Sequence, residues 1–366
     1  MKQYCIAASS VLLALGMATL PPAPAAAAET VVAQVGARNR QSKELKDLFK
    51  RGRELFDAGK ISEAIAVYQQ AARLDNRDAK IFSGIGYLYS LQGDFRASAD
   101  AYRKAVALDR DNGAFHYALG FALANAGDNA GAETAYRQAV QLNRRDLNAQ
   151  VGLGIVLLRQ NNYRGAMDVY RQVVAINPKH AGAYELLGLA EAQRKQPRAA
   201  IAAFEKAAQL NPRKASIHIN LGVAWLSVGN EVKSLAAFKR AIQLDSNSAA
   251  AHLQIGKIYQ AKGDTDKALR AFWQATAVQP RYLPARTAIA ELYMAENESL
   301  KAIVAYRKVI ELSPNDANAH HKLGLALKQR GRDAEAQSSL QKARNLYRQQ
   351  GKAEEVKQVE SELESL

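Results

Sequence analysis

The sequence predicts an all-α fold, an α-solenoid of nine 34-residue helix-turn-helix repeats followed by a C-terminal capping helix. The main observation is a repeated phrase. AYRKAVALDRDNGAFHYALG at 101–120 returns as AYRQAVQLNRRDLNAQVGLG at 135–154 and as AYRKVIELSPNDANAHHKLG at 305–324. Small, aromatic and turn-forming residues also keep fixed places within this period, as in helical repeat arrays. One helix pair cannot bury its apolar face alone, so consecutive copies are expected to stack.

The register starts at Leu45 and runs without insertion to Gln350. Its nine blocks are 45–78, 79–112, 113–146, 147–180, 181–214, 215–248, 249–282, 283–316 and 317–350. Block position 8 is Gly in eight blocks and Ala290 in the other, although Gly costs about 1 kcal/mol inside a helix. We therefore expect two helices to cross there too closely for a larger side chain. Position 20 supplies the facing small residue, and position 24 supplies a large apolar one.

Turn-forming residues mark where the helices should end. Position 15 is Gly or Asn in eight blocks, as a left-handed helix stop prefers. A favourable N-cap follows it in five blocks: Asp94, Asp128, Asn162, Asn230 and Asp264. Pro occupies position 32 in four blocks, where the second helix should end.

Block 181–214 departs most from this pattern. Lys195 and Gln196 replace the usual turn residues, Pro197 opens the second helix, and Glu191 occupies a usually apolar position. Two interpretations stay open, an ordinary variant turn or a local change in superhelix pitch.

The N-terminal residues differ from the repeats. Residues 1–28 combine Lys2, an apolar stretch and small residues placed for cleavage before Glu29, which is the layout of a secretory signal. An uncleaved membrane anchor is the alternative, although a spanning helix needs about 20 apolar residues. We therefore expect an exported protein, in the periplasm or another extracytoplasmic space. Residues 29–44 are predicted to form a polar leader.

The C-terminal residues 351–366 are predicted to form the capping helix. Val356, Val359, Leu363 and Leu366 share one helical face, and charged residues occupy the rest. Such a helix would cover the last repeat.

Charge and cysteine content limit the possible functions. Cys5 is the only cysteine, so the predicted mature chain has none and excludes disulfides and thiol catalysis. Without Lys2 the chain has 49 basic and 35 acidic residues, since the full sequence has 50 and 35. A basic surface favours acidic proteins, anionic lipid or nucleic acid, and export argues against nucleic acid.

In these repeated positions the chain resembles the tetratricopeptide repeat family. The family's small residue at 8, Ala at 20, aromatic residue at 24, Ala at 27 and Pro near 32 appear in register over 45–350. The resemblance implies a right-handed superhelix of a little over one turn. It also implies that first-helix positions 2, 5, 9, 12 and 13 line a concave groove for ligands. The family's basic carboxylate clamp is absent at positions 5 and 9, which disfavours a chaperone-tail adaptor.

Carried onto this chain, the groove positions form a mostly apolar stripe. The candidate peptide-binding residues are Tyr87, Tyr117, Phe121, Val151, Ile155, Leu158, Leu189, Ile219, Val223, Leu226 and Leu253. Helices with two apolar faces are unusual unless the second face also binds something, so a groove for an apolar-anchored peptide is favoured. The alternative is that neighbouring helices cover these side chains because the stack curves.

No pattern points to catalysis or to a metal. Four of the six histidines share block position 4 in different repeats, so they cannot converge on one ion: His116, His218, His252 and His320. They are expected to pack within their helix pairs, and His321 alone occupies a groove position. Carboxylates are expected to lie scattered over the solvated surface. Metalloprotease, phosphate-loop and serine-hydrolase motifs are absent, so we predict no enzyme activity, cofactor or metal site.

Two functional hypotheses follow. The first is an exported, non-enzymatic scaffold that holds a client protein or peptide segment in its groove, as an assembly or biogenesis factor. The second is a protein whose basic convex side, with cations such as Arg103 and Lys104, binds anionic membrane or an acidic polymer. By resemblance, exported arrays of this kind serve outer-membrane or pilus assembly, secretion or photosystem assembly. The residues do not choose among these, nor do they indicate an oligomeric state.

Overall fold

A computed structural model describes residues 41–366, and every regular element in that range is an α-helix. The helices are α1 (Gln41–Asp57), α2 (Ile61–Leu74), α3 (Ala79–Gln92), α4 (Phe95–Leu108), α5 (Gly113–Asn125), α6 (Asn129–Leu142), α7 (Leu147–Arg159), α8 (Tyr163–Ile176), α9 (Ala181–Gln193), α10 (Pro197–Leu210), α11 (Ala215–Ser227), α12 (Glu231–Leu244), α13 (Ala249–Ala261), α14 (Thr265–Val278), α15 (Leu283–Ala295), α16 (Ser299–Leu312), α17 (Ala317–Lys328), α18 (Asp333–Gln349) and α19 (Ala353–Glu364).

The helix boundaries follow the 34-residue register. From α3 to α17, each first helix begins at the first residue of its block. Each second helix, from Ile61 to Asp333, begins at the seventeenth. The prediction of an all-α, helix-turn-helix repeat fold is confirmed. The first helix α1 differs because it begins at Gln41, so the end of the expected leader, 41–44, is helical.

The chain divides into two compact units, with the boundary between Pro212 and Arg213. The described part of the first unit, 41–212, holds α1 to α10, and the second unit holds α11 to α19. Within each unit, the two helices of a repeat pack together, and each second helix packs on the next first helix. Consecutive stacking of this kind is the arrangement of an α-solenoid.

Each repeat is closed by contact between block positions 8 and 24. A Cβ built on Gly154 would lie 2.5 Å from the buried ring of Tyr170, closer than carbon atoms pack. The residue at position 20 lies against the same backbone, since the Ser98 hydroxyl donates to the Gly86 carbonyl at 2.7 Å. The expected close helix crossing is therefore confirmed, and it is the large residue at position 24 that fills it.

The turns within repeats share one backbone conformation. Position 15 has a positive φ in all nine blocks: Gly59, Gly93, Gly127, Asn161, Lys195, Gly229, Gly263, Asn297 and Gly331. The five expected N-cap side chains each accept a hydrogen bond from a backbone N–H in the first turn of the following helix. Lys195 adopts the same left-handed conformation with φ 59°. Block 181–214 therefore has the ordinary turn with an unusual residue.

The last helix, α19, covers the end of the second unit. Val359 is fully buried against Leu340, Leu346 and Tyr347. Leu366, expected on the same face, lies beyond the end of the helix and is exposed. This packing supplies the last repeat with the apolar cover that a following repeat would otherwise provide.

The predictions for the N-terminal segment fall outside the described residues. The signal at 1–28, its alternative as a membrane anchor and the leader before residue 41 all stay predictions. Within 41–366, no helix combines the length and the apolar character needed to cross a bilayer.

Candidate protein-binding faces

The structure divides the eleven candidate groove residues into two sets. Five are half-buried and reachable from solvent: Tyr87, Phe121, Ile219, Val223 and Leu226. Six are no more than 9% exposed: Tyr117, Val151, Ile155, Leu158, Leu189 and Leu253. Neighbouring helices cover these six side chains, as the alternative interpretation of the sequence expected. A ligand could reach them only if the helices moved apart. The five reachable residues stay the candidates for binding.

Coverage of the first-helix faces comes from packing within and between repeats. The ring of Tyr117 lies 5.8 Å from that of Tyr136 on the second helix of its own repeat. The first helices α3, α5, α7 and α9 also contact one another in sequence. On α7, every residue from Ala149 to Leu158 is buried, so that helix presents no open apolar side.

The first three repeats leave aromatic residues partly open. Phe56 on α1 and Tyr87 on α3 have ring centroids 6.1 Å apart. Phe95 on α4 and Phe121 on α5 are also 6.1 Å apart, with the rings edge to face. All four side chains are half-buried, and together we call them the N-terminal aromatic face. Aromatic pairs in such tilted or edge-to-face geometry add about 0.5–1.5 kcal/mol beyond area burial.

Sequence reasoning missed two members of this face. Phe56 lies at groove position 12 of its block, and a check of that position in every block would have found it. Phe95 opens a second helix at position 17, outside the first-helix groove positions. No signal in the repeat pattern brings Phe95 to Phe121, because that contact depends on how one repeat packs on the next.

In the second unit, three candidates form one strip along α11. Ile219, Val223 and Leu226 are spaced four and then three residues apart, so they share a helical face. They pack at the edge of a core cluster that includes Ile255 and Ile258. Their remaining surface is open, and we call this set the α11 strip.

Three of the four histidines at block position 4, His116, His252 and His320, bind the backbone of the turn that precedes their helix. Nε2 of His116 donates to the Arg110 carbonyl at 2.8 Å, and Nε2 of His320 donates to the Pro314 carbonyl at 3.0 Å. Gln150, at the same block position, does the same with its side-chain amide. We expected these side chains to pack within their own helix pair. The structure shows that they form hydrogen bonds to the preceding repeat. No group of three potential ligands in the described residues could hold a metal ion.

His321, the histidine at a groove position, is not available to a ligand. Its side chain is buried, and Nε2 lies 2.6 Å from Oε2 of Glu362 on the capping helix. The ring of Tyr347 packs edge-on at 6.0 Å. The capping helix thus covers the groove position of the last repeat.

The expectation that carboxylates lie on the solvated surface is wrong for α9. Glu185 and Glu191 are both buried there. Arg171 of α8 donates a hydrogen bond to Oε1 of Glu191 at 3.4 Å. Placed six residues apart on one helix, the two carboxylates do not share a face and do not form a catalytic pair.

Exposed cations on the second helices are partly neutralised by their own helices. Arg103 pairs with Asp100 at 2.6 Å, and Arg137 pairs with Glu133 at 2.7 Å. Such exposed pairs contribute about 0–1 kcal/mol each, so an external anion can compete for them. These residues offer a basic surface, but not a preformed anion site.

Family models match most of the chain. A TPR repeat model matches residues 52–93, 86–127 and 290–331. Two tetratricopeptide repeat models match 117–182, 151–208 and 185–249, and 249–282. Together these matches span 52–282 and 290–331. The chain belongs to the tetratricopeptide repeat (TPR) family.

Two solved structures agree with this TPR fold. A tetratricopeptide repeat protein from Parabacteroides merdae is 16% identical with a TM-score of 0.55, and the match covers 69% of this chain and 99% of that one. A chain of the APC/C hetero-tetramer Cut9–Hcn1 is 17% identical with a TM-score of 0.52, over 87% of this chain and 62% of that one. MamA from Desulfovibrio magneticus RS-1 is 28% identical over 46% of this chain and 96% of its own, with a TM-score of 0.44. A comparison with curated protein sequences gave no match.

Proposed function

We propose that this TPR protein is an exported, non-enzymatic scaffold that holds an apolar segment of a client protein, as an assembly or biogenesis factor. The N-terminal aromatic face carries the proposal. Tyr87 and Phe121 keep open surface, whereas Ile155 and Leu189, which have the same block position in the next two repeats, are buried. The first-helix surface of the first unit therefore opens at repeats one to three.

The chemistry of this face suits an apolar peptide segment. Aromatic side chains supply large contact areas at low conformational cost and dominate the binding energy of many interfaces. Beside Phe56, the exposed ion pair of Arg53 and Asp57 supplies a polar rim, with Nε of Arg53 3.8 Å from Oδ2 of Asp57. An extended or helical client with two or three apolar anchors fits this arrangement of apolar centre and polar edge. The α11 strip offers a similar apolar surface in the second unit.

The test compares charged variants of the aromatic face with a matched control. A Tyr87→Lys/Phe121→Lys variant places cations on half-buried positions that tolerate solvent. Leu108→Lys makes the same kind of change at an exposed second-helix position in the same unit. Ile155 does not serve for this purpose, because a lysine there would place a charge in the core.

The measurement is affinity capture of clients from the exported fraction at low and high salt. Wild type and Leu108→Lys should retain the same client at high salt, and the double variant should lose it. If the folded double variant retains that client, the aromatic face is not its binding site. Clients that all three proteins lose in high salt would favour the second hypothesis, attachment to anionic membrane or polymer through exposed cations, because salt screens such charges over about 10 Å at 0.1 M.

Export has its own test. The mature protein purified from the native host should begin at Glu29, which N-terminal sequencing and intact mass would show. A chain that keeps its first residues and sediments with membranes would favour the anchor instead.

A further inference from the structure

The second unit carries another apolar surface, formed mainly by second helices. Trp273 of α14, Tyr293 of α15, and Leu300 and Val304 of α16 line a cleft of about 500 Å³ with Ile289 at its floor. Trp273, Leu300 and Val304 are 49%, 57% and 69% exposed, which is high for large apolar side chains. We call this surface the outer cleft. It shares no residue with the aromatic face or the α11 strip.

Stacking of the repeats does not require these apolar residues. The equivalents of Val304 in the other blocks are small, polar or charged: Ala66, Asp100, Thr134, Asp168, Ala202, Ala236, Arg270 and Ser338. The equivalents of Trp273 are all polar or charged: Gln69, Arg103, Arg137, Arg171, Glu205, Lys239, Arg307 and Gln341. Seven repeats therefore pack with neither residue, and a contiguous exposed apolar surface of this kind marks an interaction site.

The polar residues of the cleft all carry positive charge or a hydroxyl. Arg286, Lys301 and Lys308 line it, and no carboxylate does. Arg286 is held in place because its Nε donates to the Pro280 carbonyl at 2.7 Å. Lys301 pairs with Glu298, the residue before α16, and Lys308 pairs with Glu311 of α16; both glutamates lie outside the lining. Exposed pairs of this type are worth about 0–1 kcal/mol, so a carboxylate brought by a partner can replace them.

We propose that the outer cleft docks an amphipathic helix of a partner protein, with apolar anchors on one face and flanking Asp or Glu residues. Leu300, Val304 and Lys308 follow one another at four-residue steps along α16, a length of about 12 Å or two helical turns. The helices on both sides of the buried floor form a groove. A partner helix fits into such a groove, whereas a flat bilayer surface does not follow its shape. The cationic lining selects a partner helix with acidic flanks.

The chain supplies its own probe of this site. It has two tryptophans, Trp225 and Trp273, so a Trp225→Phe background leaves fluorescence from the cleft alone. Three synthetic helical peptides of about 14 residues, close to four turns, are titrated. One has Leu, Leu and Phe anchors with Glu flanks, the second has Lys flanks, and the third has Ser at the anchor positions. The first should shift Trp273 emission to shorter wavelength, protect it from acrylamide and bind at least about tenfold more tightly than the others.

Two variants of equal chemistry separate the cleft from general surface effects. Val304→Glu should weaken binding of the Glu-flanked peptide about tenfold, because it removes an anchor contact and adds a like charge. Val232→Glu, at a 76% exposed position outside the cleft lining, should leave binding within about twofold. Both positions are so exposed that neither change threatens the fold.

Several results would overturn the proposal. They are no saturable binding of the Glu-flanked peptide, equal binding of the Lys-flanked peptide, or equal binding to the Val304→Glu variant. Anionic vesicles that shift Trp273 emission while the peptide does not would assign the cleft to a membrane. Self-association lost in Val304→Glu, seen by sedimentation velocity, would assign it to a second copy of the chain. The client of the aromatic face should bind Val304→Glu normally, so the two proposals can fail separately.

Discussion

Gly154 on α7 lies directly against the ring of Tyr170 on α8, where a Cβ would be 2.5 Å from two ring carbons and 2.8 Å from the hydroxyl oxygen. Tyr170 is fully buried, so the ring cannot swing aside into solvent. The same contact between positions 8 and 24 recurs through both units. In block 283–316 Ala290 and Tyr306 are buried in one core cluster, so a repeat can form with a Cβ at position 8.

We expect Gly154→Ala to destabilise the protein. Overpacking a core costs about 1–3 kcal/mol, and the better helix propensity of Ala returns only about 1 kcal/mol. The free energy of unfolding, followed by circular dichroism in urea, should therefore fall by about 1 kcal/mol, and at most by about 2 kcal/mol. Gly113→Ala is the matched control, since its Cβ would meet Leu142 at an ordinary 3.6 Å. A similar loss in both variants would show that the Tyr170 contact is not the cause.

At the turn that contains Lys195, we expect a substitution to raise the free energy of unfolding rather than lower it. Lys195 has φ 59°, a left-handed conformation that costs an L-residue with a Cβ about 1–2 kcal/mol. Lys195→Gly should therefore raise the free energy of unfolding by about 1 kcal/mol. Gly229→Lys, at the equivalent turn with φ 75°, should lower it by a similar amount. Unchanged thermal midpoints in both variants would mean that the turn conformation is not retained in solution.

These turns show how far the sequence determines the fold. A strict 34-residue register placed every helix start from α2 to α18, and it located the left-handed turn even where Lys195 replaces Gly. The open binding surface could not be derived in the same way. Tyr117 and Phe121 lie four residues apart on α5 and both are aromatic, yet the first is buried by Tyr136 and the second stays partly open. Whether neighbouring helices bury a side chain depends on tertiary packing, which the sequence pattern of a single helix does not determine.

The outer cleft was missed for a related reason. Groove positions of first helices were compared because the family resemblance pointed to them, whereas Trp273 and Val304 lie at second-helix positions that vary from block to block. A search for large apolar residues at positions that are small, polar or charged in the other blocks would have found both.

The buried tyrosines at position 24 predict alkaline unfolding. Burial raises the pKa of Tyr136 and Tyr170 well above the usual value near 10. In the unfolded chain these groups lose their protons near pH 10, so their contribution to stability is complete below about pH 10 and is lost as pH rises above it. Absorbance at 295 nm should show that Tyr136 and Tyr170 lose their protons only together with loss of helix.

A Tyr170→Phe variant tests this assignment. Phe204, Phe238 and Phe272 fill the same place in three other blocks, so the substitution should fit and change stability little at pH 7. It removes one group that must ionise, so helix loss should shift to higher pH. If all tyrosines titrate near pH 10 with the helical signal intact, position 24 is not sealed from water.

The capping helix supplies the last prediction, because its packing rests on few contacts. Val359 is fully buried, and Val359→Ala should cost about 2 kcal/mol from two lost methyl groups and the space they leave. The readout is hydrogen exchange in α17 and α18, which should quicken when α19 detaches. Val356→Ala, at a half-buried position of the same helix, should have a smaller effect.

Glu362→Ala should also speed exchange, because it leaves buried His321 without the carboxylate 2.6 Å away, a loss of about 1–3 kcal/mol. Exchange unchanged in both Val359→Ala and Glu362→Ala would mean that the ninth repeat holds its fold without the cap.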